Sequence, residues 1–235
     1  MMPSLRCRVS KRRGEVPQNN ISEKQNMKHE WKKSEKNIYL PKATPEIVSI
    51  PKMGYFTIDG KGNPNDEFFA EYIAVLYSLS YAVKMSPKQG VQPNGYYEYS
   101  VYPLEGVWDI NDESKKTPNE VINKDALIFK LMIRQPDFVT PEVAAEIIER
   151  TKHKKPHNLL ANVKFDQIED GKCIQMLHLG SFDSEPISFK IMQEFEKDNH
   201  AERISRTHKE IYLSDFRKTD PENLKTVLRY KINSN

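Results

Sequence analysis

The chain has 235 residues, of which 36 are Lys or Arg, 33 are Asp or Glu and 37% are hydrophobic. This length suits one large domain or two small ones, and a balanced charge with 10% aromatic residues is typical of a folded protein. Fibrous, collagen-like and disulfide-rich classes are excluded, and no apolar run is long enough to span a membrane, so we expect a cytoplasmic protein without membrane contact.

The positive charge is concentrated at the N-terminus. Residues 1–37 contain ten Lys or Arg and four acidic residues, so this stretch carries +6 and the rest of the chain −3. The remainder therefore has no basic stripe for a phosphate backbone, and we expect no nucleic-acid binding by the folded body. We interpret residues 1–38 as a disordered basic leader, in which Met27 offers an internal start, and residues 39–235 as one domain.

The first half of the body predicts two short strands, a long amphipathic helix, an aromatic extended run and a strand buried on both faces. The strand segments are rich in β-branched and aromatic residues, and apolar residues of the helix recur at spacings of three and four. These elements lie at residues 46–50, 55–58, 66–83, 97–109 and 126–133.

The second half repeats this order with a weaker pattern. A helix beginning at Thr140 leads to two strands, a second amphipathic helix and two closing strands, as the spacing of apolar residues and the Gly and Pro breaks predict. The two strands, the helix and the closing strands lie at residues 159–168, 173–179, 187–195, 209–213 and 226–232.

The shared order indicates an internal duplication. Gly54 and Gly180, which follow corresponding strand signals, are 126 residues apart. We predict an α+β fold made of duplicated strand-helix-strand-strand units at about residues 44–135 and 158–233, with two antiparallel sheets and helices on one side. The seam between such halves is a common ligand site, so a pseudo-twofold cleft is expected there.

The sequence contains no dinucleotide-binding, P-loop, nucleophile-elbow or zincin motif, so we expect no cofactor and no metal site. The remaining indication of a functional site is that acidic and aromatic residues lie close together in the sequence. On a strand, Glu210 and Tyr212 share a face. Either this face is the cleft, where a desolvated carboxylate could bind a flat cationic ligand or act as a general base, or Glu210 faces solvent and Tyr212 is half-buried.

Four segments together resemble the gyrase-inhibitor-like (GyrI-like) small-molecule-binding domains, in particular their stand-alone branch. The resemblance covers about residues 40–233, and its C-terminal motif is the most specific part. Since no helix-turn-helix pattern precedes the domain, the chain does not have the usual build of a drug-responsive regulator. The matching segments are residues 103–108, 178–182, 207–215 and 221–229.

The resemblance implies a small-molecule ligand and a cleft with an acidic residue, which corresponds to Glu210 here. Some stand-alone members are hydrolases that open the cyclopropane ring of DNA-alkylating compounds. On this analogy Glu210 would orient or deprotonate water, and Tyr212 and Trp108 would hold the flat electrophile. Further pocket-lining residues would be Tyr55, Tyr102, Glu105 and His178.

The resemblance leaves three functions open, of which detoxifying hydrolysis is the first hypothesis. A non-catalytic drug-binding, sequestering or sensing module is the second. The third is a protein partner, a topoisomerase, as the family name implies.

Overall fold

A computed structural model describes residues 28–110 and 123–233 of the protein. The predictions for residues 1–27 lie outside the described residues. Within the two described ranges, no helix combines the length and the apolar character that crossing a bilayer requires. The α-helices are α1 (Trp31–Ser34), α2 (Lys36–Tyr39), α3 (Glu67–Met85), α4 (Pro141–Lys154) and α5 (Glu185–Asp198).

The described strands fall close to the predicted ones, apart from two segments. The aromatic run at residues 97–102 forms no strand, and residues 158–162 form a 3-10 helix ahead of a shorter strand. The strands are β1 (Glu46–Ile50), β2 (Met53–Lys61), β3 (Leu104–Ile110), β4 (Leu127–Arg134), β5 (Lys164–Ile168), β6 (Gly171–Leu179), β7 (His208–Tyr212) and β8 (Lys225–Lys231).

All eight strands belong to one antiparallel sheet with the order β1-β6-β8-β7-β3-β4-β2-β5. The α+β class and the duplicated strand-helix-strand-strand units are confirmed, since β2-α3-β3-β4 and β6-α5-β7-β8 occupy mirrored places about the β7–β3 pair. The expected two sheets are in fact joined by the pairing of β3 with β7. In addition, each half supplies its leading strand to the other half, because β1 pairs with β6 and β5 pairs with β2.

The sheet must curl, because its connections are short. Two residues join β1 to β2, although these strands lie six places apart in the sheet order. In a flat sheet that separation would be roughly 29 Å at about 4.8 Å per strand. Three Cα–Cα steps reach at most about 11 Å. The equally short connection from β5 to β6 imposes the same closure at the other edge.

Helices α3 and α5 cover one face of the curled sheet. Phe69 of α3 packs against Trp108 and Phe129, and Ser188 of α5 hydrogen-bonds to His178 of β6. Helix α4 packs on α3 and β5. Because strand side chains alternate between faces, Trp108, Glu210 and the other residues in phase with them point toward the helices.

The opposite face is covered by the segment from residue 28 to residue 44, which corrects part of the predicted leader. Residues 28–38 contain α1 and most of α2 rather than a disordered chain. Trp31 and Ile38 are buried, and Glu35 pairs with the buried Arg134. Arg229 of β8 also donates to the Ile38 carbonyl oxygen. Apolar burial and two buried guanidinium groups therefore fix a stretch whose exposed charges indicated disorder.

Candidate functional site

The candidate site lies where the two halves of the sheet meet. In the β3–β7 pair, Gly106 is opposite Glu210, Leu104 is opposite Tyr212 and Trp108 is opposite His208. These side chains share the face covered by α3 and α5. Because Gly106 has no side chain, there is space for its neighbours: a Cβ there would lie 2.9 Å from Trp108 Nε1 and 3.1 Å from the Tyr212 hydroxyl.

A chain of hydrogen bonds ends at the Glu210 carboxylate. Trp108 Nε1 donates to the Tyr212 hydroxyl at 2.8 Å, and this hydroxyl donates to Glu210 Oε2 at 2.8 Å. His208 Nε2 lies 2.9 Å from Glu210 Oε1. Burial, followed by the charge of Glu210, raises the pKa of Tyr212 well above its usual value, so the phenol keeps the proton that it donates. Glu210 is 8% exposed and is held in one orientation by these partners.

Glu185 completes this cluster, although no motif or spacing in the sequence points to it. It is the first residue of α5, and Pro186 follows it in the first turn. Its side chain is buried, with 7% exposure, and one of its carboxyl oxygens lies within 4.8 Å of the Glu210 carboxylate. Burial, together with the negative charges of Glu210 and Asp183, raises the pKa of Glu185 to about 10.

Glu185, His208 and Glu210 each offer one oxygen or nitrogen atom within 4.8 Å of the other two. This is the one group of three such side chains found in the part of the chain that the structure describes. A small cation could occupy such a group. In the structure, His208 Nε2 lies 2.9 Å from Glu210 Oε1, and two buried carboxyl groups this close need either a cation or a proton to avoid the repulsion of two negative charges.

An aromatic cavity of about 460 Å³ opens beside Tyr212, between α3 and the loop after β7. Trp31 forms part of its wall, so the N-terminal segment contributes to it. Asp215 and Arg217 form a two-bond ion pair in the wall, at 2.8 and 3.0 Å. The other wall residues are mainly apolar or aromatic: Ile73, Ala74, Tyr77, Tyr81, Val101, Tyr102, Pro103, Leu104, Leu213, Ser214 and Phe216.

Two phenylalanines cover Tyr212. The rings of Phe182 and Phe216 each lie 6.0 Å from the Tyr212 ring and 6.0 Å from one another. Phe182 comes from the turn before α5, and Phe216 comes from the loop after β7. The cavity wall and the Glu210 cluster thus meet at Tyr212, which contacts both.

Of the remaining predicted site residues, Tyr102 lines the cavity, but its hydroxyl donates to Glu35 at 2.8 Å. His178 is buried near the start of α5. Its Nδ1 lies 2.9 Å from the Ser188 hydroxyl, and its Nε2 lies 3.0 Å from the Ser181 carbonyl oxygen. Its contacts therefore hold the α5 start in place, close to Glu185.

Tyr55 and Glu105 lie on the other face of the sheet, away from Glu210. Glu105 is 1% exposed, and its carboxylate is 3.2 Å from Lys209 Nζ. Lys209 also contacts Asp170 at 2.6 Å, and its ammonium lies 5.1 Å from the centre of the Tyr55 ring. The structure therefore places Tyr55 and Glu105, both predicted to line the pocket, in a buried ionic cluster on the face of the sheet opposite to Glu210.

Comparisons with known proteins agree with this architecture. A family model for the GyrI-like small-molecule-binding domain matches residues 43–232. A crystal structure of a hydrolase from Listeria innocua has 35% sequence identity, covers 88% of this chain and 100% of its own, and has a TM-score of 0.79. A crystal structure of an uncharacterized conserved protein from Listeria innocua has 36% identity, the same coverages and a TM-score of 0.80.

No curated protein sequence is similar enough to this chain to count as a match. The family model spans most of the described sheet, and both Listeria innocua structures share the fold over their whole length. The chain therefore belongs to the GyrI-like small-molecule-binding domain family.

Proposed function

We propose that the protein binds a flat aromatic electrophile in the cavity beside Tyr212 and adds water to it, with Glu210 as the general base. The observation that carries the proposal is the hydrogen-bonded chain from Trp108 through Tyr212 to Glu210, because it fixes a buried carboxylate one hydrogen bond away from the cavity wall at Tyr212. The similarity to a hydrolase from Listeria innocua supports a hydrolytic reaction.

A strained cyclopropane joined to a conjugated carbonyl group is the substrate class that we infer. Glu210 takes a proton from water while the water oxygen forms a bond to a ring carbon. The strained C–C bond breaks, and its electron pair passes to the carbonyl oxygen, which takes up a proton. The product is the substrate plus one water, and the aromatic wall would hold the flat ring system during this step.

The test is incubation of the protein with a cyclopropane-bearing, DNA-alkylating aromatic compound, followed by mass spectrometry. The wild-type protein should produce the water adduct in molar excess over protein. Glu210→Gln should reduce turnover by about 10²- to 10⁴-fold, as expected when a general base is removed. Its affinity for the compound should stay within about threefold, because the amide keeps the side-chain shape and one acceptor oxygen, which can still accept the Tyr212 hydrogen bond.

Glu194→Gln is the matched control, because Glu194 is exposed on α5 and the same chemical change there should leave turnover intact. Equal turnover by Glu210→Gln and wild type would remove Glu210 from the mechanism. Tight binding without any product would instead favour a sequestering or sensing module, for which a buried carboxylate beside aromatic rings is also suited. Contact with a topoisomerase stays a prediction.

A further inference from the structure

We propose that Glu185 is a positioning residue that holds one proton in common with Glu210 and, as a neutral acid, donates a hydrogen bond to the Glu210 carboxylate. This inference rests on the proposed function only for its effect on turnover. The shared proton itself can be measured without any reaction.

The geometry favours a proton on one of the two side chains. Each carboxyl group offers an oxygen within 4.8 Å of the other, and two ionised carboxylates have only acceptor atoms. Both side chains are more than nine-tenths buried. Like charges that close cannot both be ionised without a large penalty, so one of the two acids is neutral.

The other contacts decide which acid is neutral. Glu210 accepts a hydrogen bond from Tyr212 and lies 2.9 Å from His208, whereas Glu185 Oε1 is buried without a hydrogen-bond partner. The Tyr212 hydroxyl donates to Glu210, and no comparable donor among the described residues contacts Glu185 Oε1. The first turn of α5 would favour an anion at Glu185, but burial outweighs that effect and raises the pKa of Glu185 to about 10.

Few charged or titratable side chains lie near Glu185. Glu210, His208 and Tyr212 face it from β7, and Asp183 adds negative charge from the turn before α5. Lys124 is 3.4 Å from Asp183, on the exposed side. Among the described residues, no Lys or Arg forms an ion pair with Glu185 or Glu210, and His208 contacts Glu210 at 2.9 Å. Within the described ranges, Glu185 therefore has no cationic partner of its own, and a proton is the simplest way to neutralise it.

The direct test is infrared spectroscopy of the purified protein at pH 7. Wild type should show a carbonyl band from a buried neutral carboxyl group, and Glu185→Gln should lack that band. Glu194→Gln should retain it. Absence of the band from wild type would overturn the proposal, and so would its persistence in Glu185→Gln.

A second test uses ethidium as an aromatic cation and follows its affinity between pH 7 and pH 10. Full ionisation of Glu185 would add one negative charge to the site and raise wild-type affinity by roughly fivefold if that charge lies about 4 Å from the cation. Because the pKa of Glu185 is about 10, half of this charge is present at pH 10, and affinity should rise by about threefold. Glu185→Gln keeps a hydrogen-bond donor but cannot ionise, so its affinity should stay flat. Identical pH curves would refute the role of Glu185.

The activity test is the pH profile of turnover. Wild type should lose activity at alkaline pH as Glu185 ionises and the two carboxylates repel, whereas Glu185→Gln should retain activity there. If no electrophile is turned over while the infrared band and the ethidium titration behave as expected, the hydrolase proposal fails and the shared proton stands. If elemental analysis finds stoichiometric zinc that is lost in Glu185→Gln, a metal joins the two carboxyl groups and the proposal of a shared proton is wrong.

Discussion

Lys209→Met is expected to destabilise the fold strongly, although Lys209 points to the opposite face of the sheet from Glu210. Lys209 is 4% exposed, and its ammonium contacts Asp170 at 2.6 Å and Glu105 at 3.2 Å. Methionine preserves most of the apolar stem but leaves both carboxylates without this cation. Asp170 keeps Lys231 at 3.4 Å, whereas Glu105 forms no other ion pair among the described residues.

The penalty therefore falls mainly on Glu105, a carboxylate that is 1% exposed. Removal of one partner of a buried ion pair lowers the free energy of unfolding by about 3–5 kcal/mol. That is a large share of the roughly 5–15 kcal/mol that stabilises a typical native protein. The double variant Lys209→Met/Glu105→Gln should recover at least half of the loss, because it removes the unpaired charge.

Urea unfolding followed by circular dichroism measures this loss as a lower midpoint with an unchanged slope. Lys130→Met is the matched control, since Lys130 also bridges two carboxylates, Asp59 at 3.3 Å and Asp166 at 3.6 Å, but is 35% exposed. An exposed pair contributes about 0–1 kcal/mol. If Lys209→Met loses no more stability than Lys130→Met, the reasoning about burial is refuted.

The same cluster fixes the pH dependence of stability. Burial raises the pKa of Asp170, but the charge of Lys209 lowers it by more, so the pKa of Asp170 is below its usual value. Burial likewise lowers the pKa of Lys209, and Glu105 and Asp170 bring it above the usual value. The contribution of Asp170 is present above its unfolded pKa and is lost as pH falls through the folded pKa. That of Lys209 is present below its unfolded pKa and is lost as pH rises through the folded pKa.

Two further variants probe the walls of the site. Gly106→Ala should weaken ethidium binding by about tenfold in a fluorescence titration. The reason is that the new methyl group displaces Trp108 or Tyr212 and breaks the hydrogen bond between them. Unchanged affinity would show that this hydrogen bond is not needed for binding. Trp31→Phe keeps an aromatic cavity wall but loses the bond to the Val101 carbonyl oxygen, so urea unfolding should report a loss of about 1 kcal/mol. Ethidium affinity should stay close to that of wild type, so a tenfold loss of affinity in Trp31→Phe would contradict this prediction.

The alternation of strand side chains predicted the central relation of the site. Glu210 and Tyr212 are two residues apart, and the structure shows them on one face and hydrogen-bonded to each other. The same rule argues against grouping Glu105 with Trp108, since residues three apart on a strand point to opposite faces. The position of Tyr55 depends on which face of β2 points inward, and one strand alone does not determine this.

Glu185 shows what the linear pattern does not contain. It reaches Glu210 because α5 packs on β6, which brings its first residue within 4.8 Å of the β7 side chains His208 and Glu210. A Glu-Pro pair at a helix start is ordinary helix chemistry and gives no indication of a neighbouring acid. In the same way, the charges of residues 28–38 predicted a solvated chain, whereas Arg134 and Arg229 make that segment part of the fold.

The exchange of leading strands between the two halves has a consequence for the order of folding. Strand β1 is made early, but its partner β6 lies 127 residues further along, as the pair Ile47 and Ile174 shows. Strand β3 likewise waits for β7. Pairings between such distant segments slow folding, because a long loop must close before any contact stabilises it. On the ribosome, the first half is therefore left with an open sheet edge, and ligand binding begins only when nearly the whole chain has been synthesised.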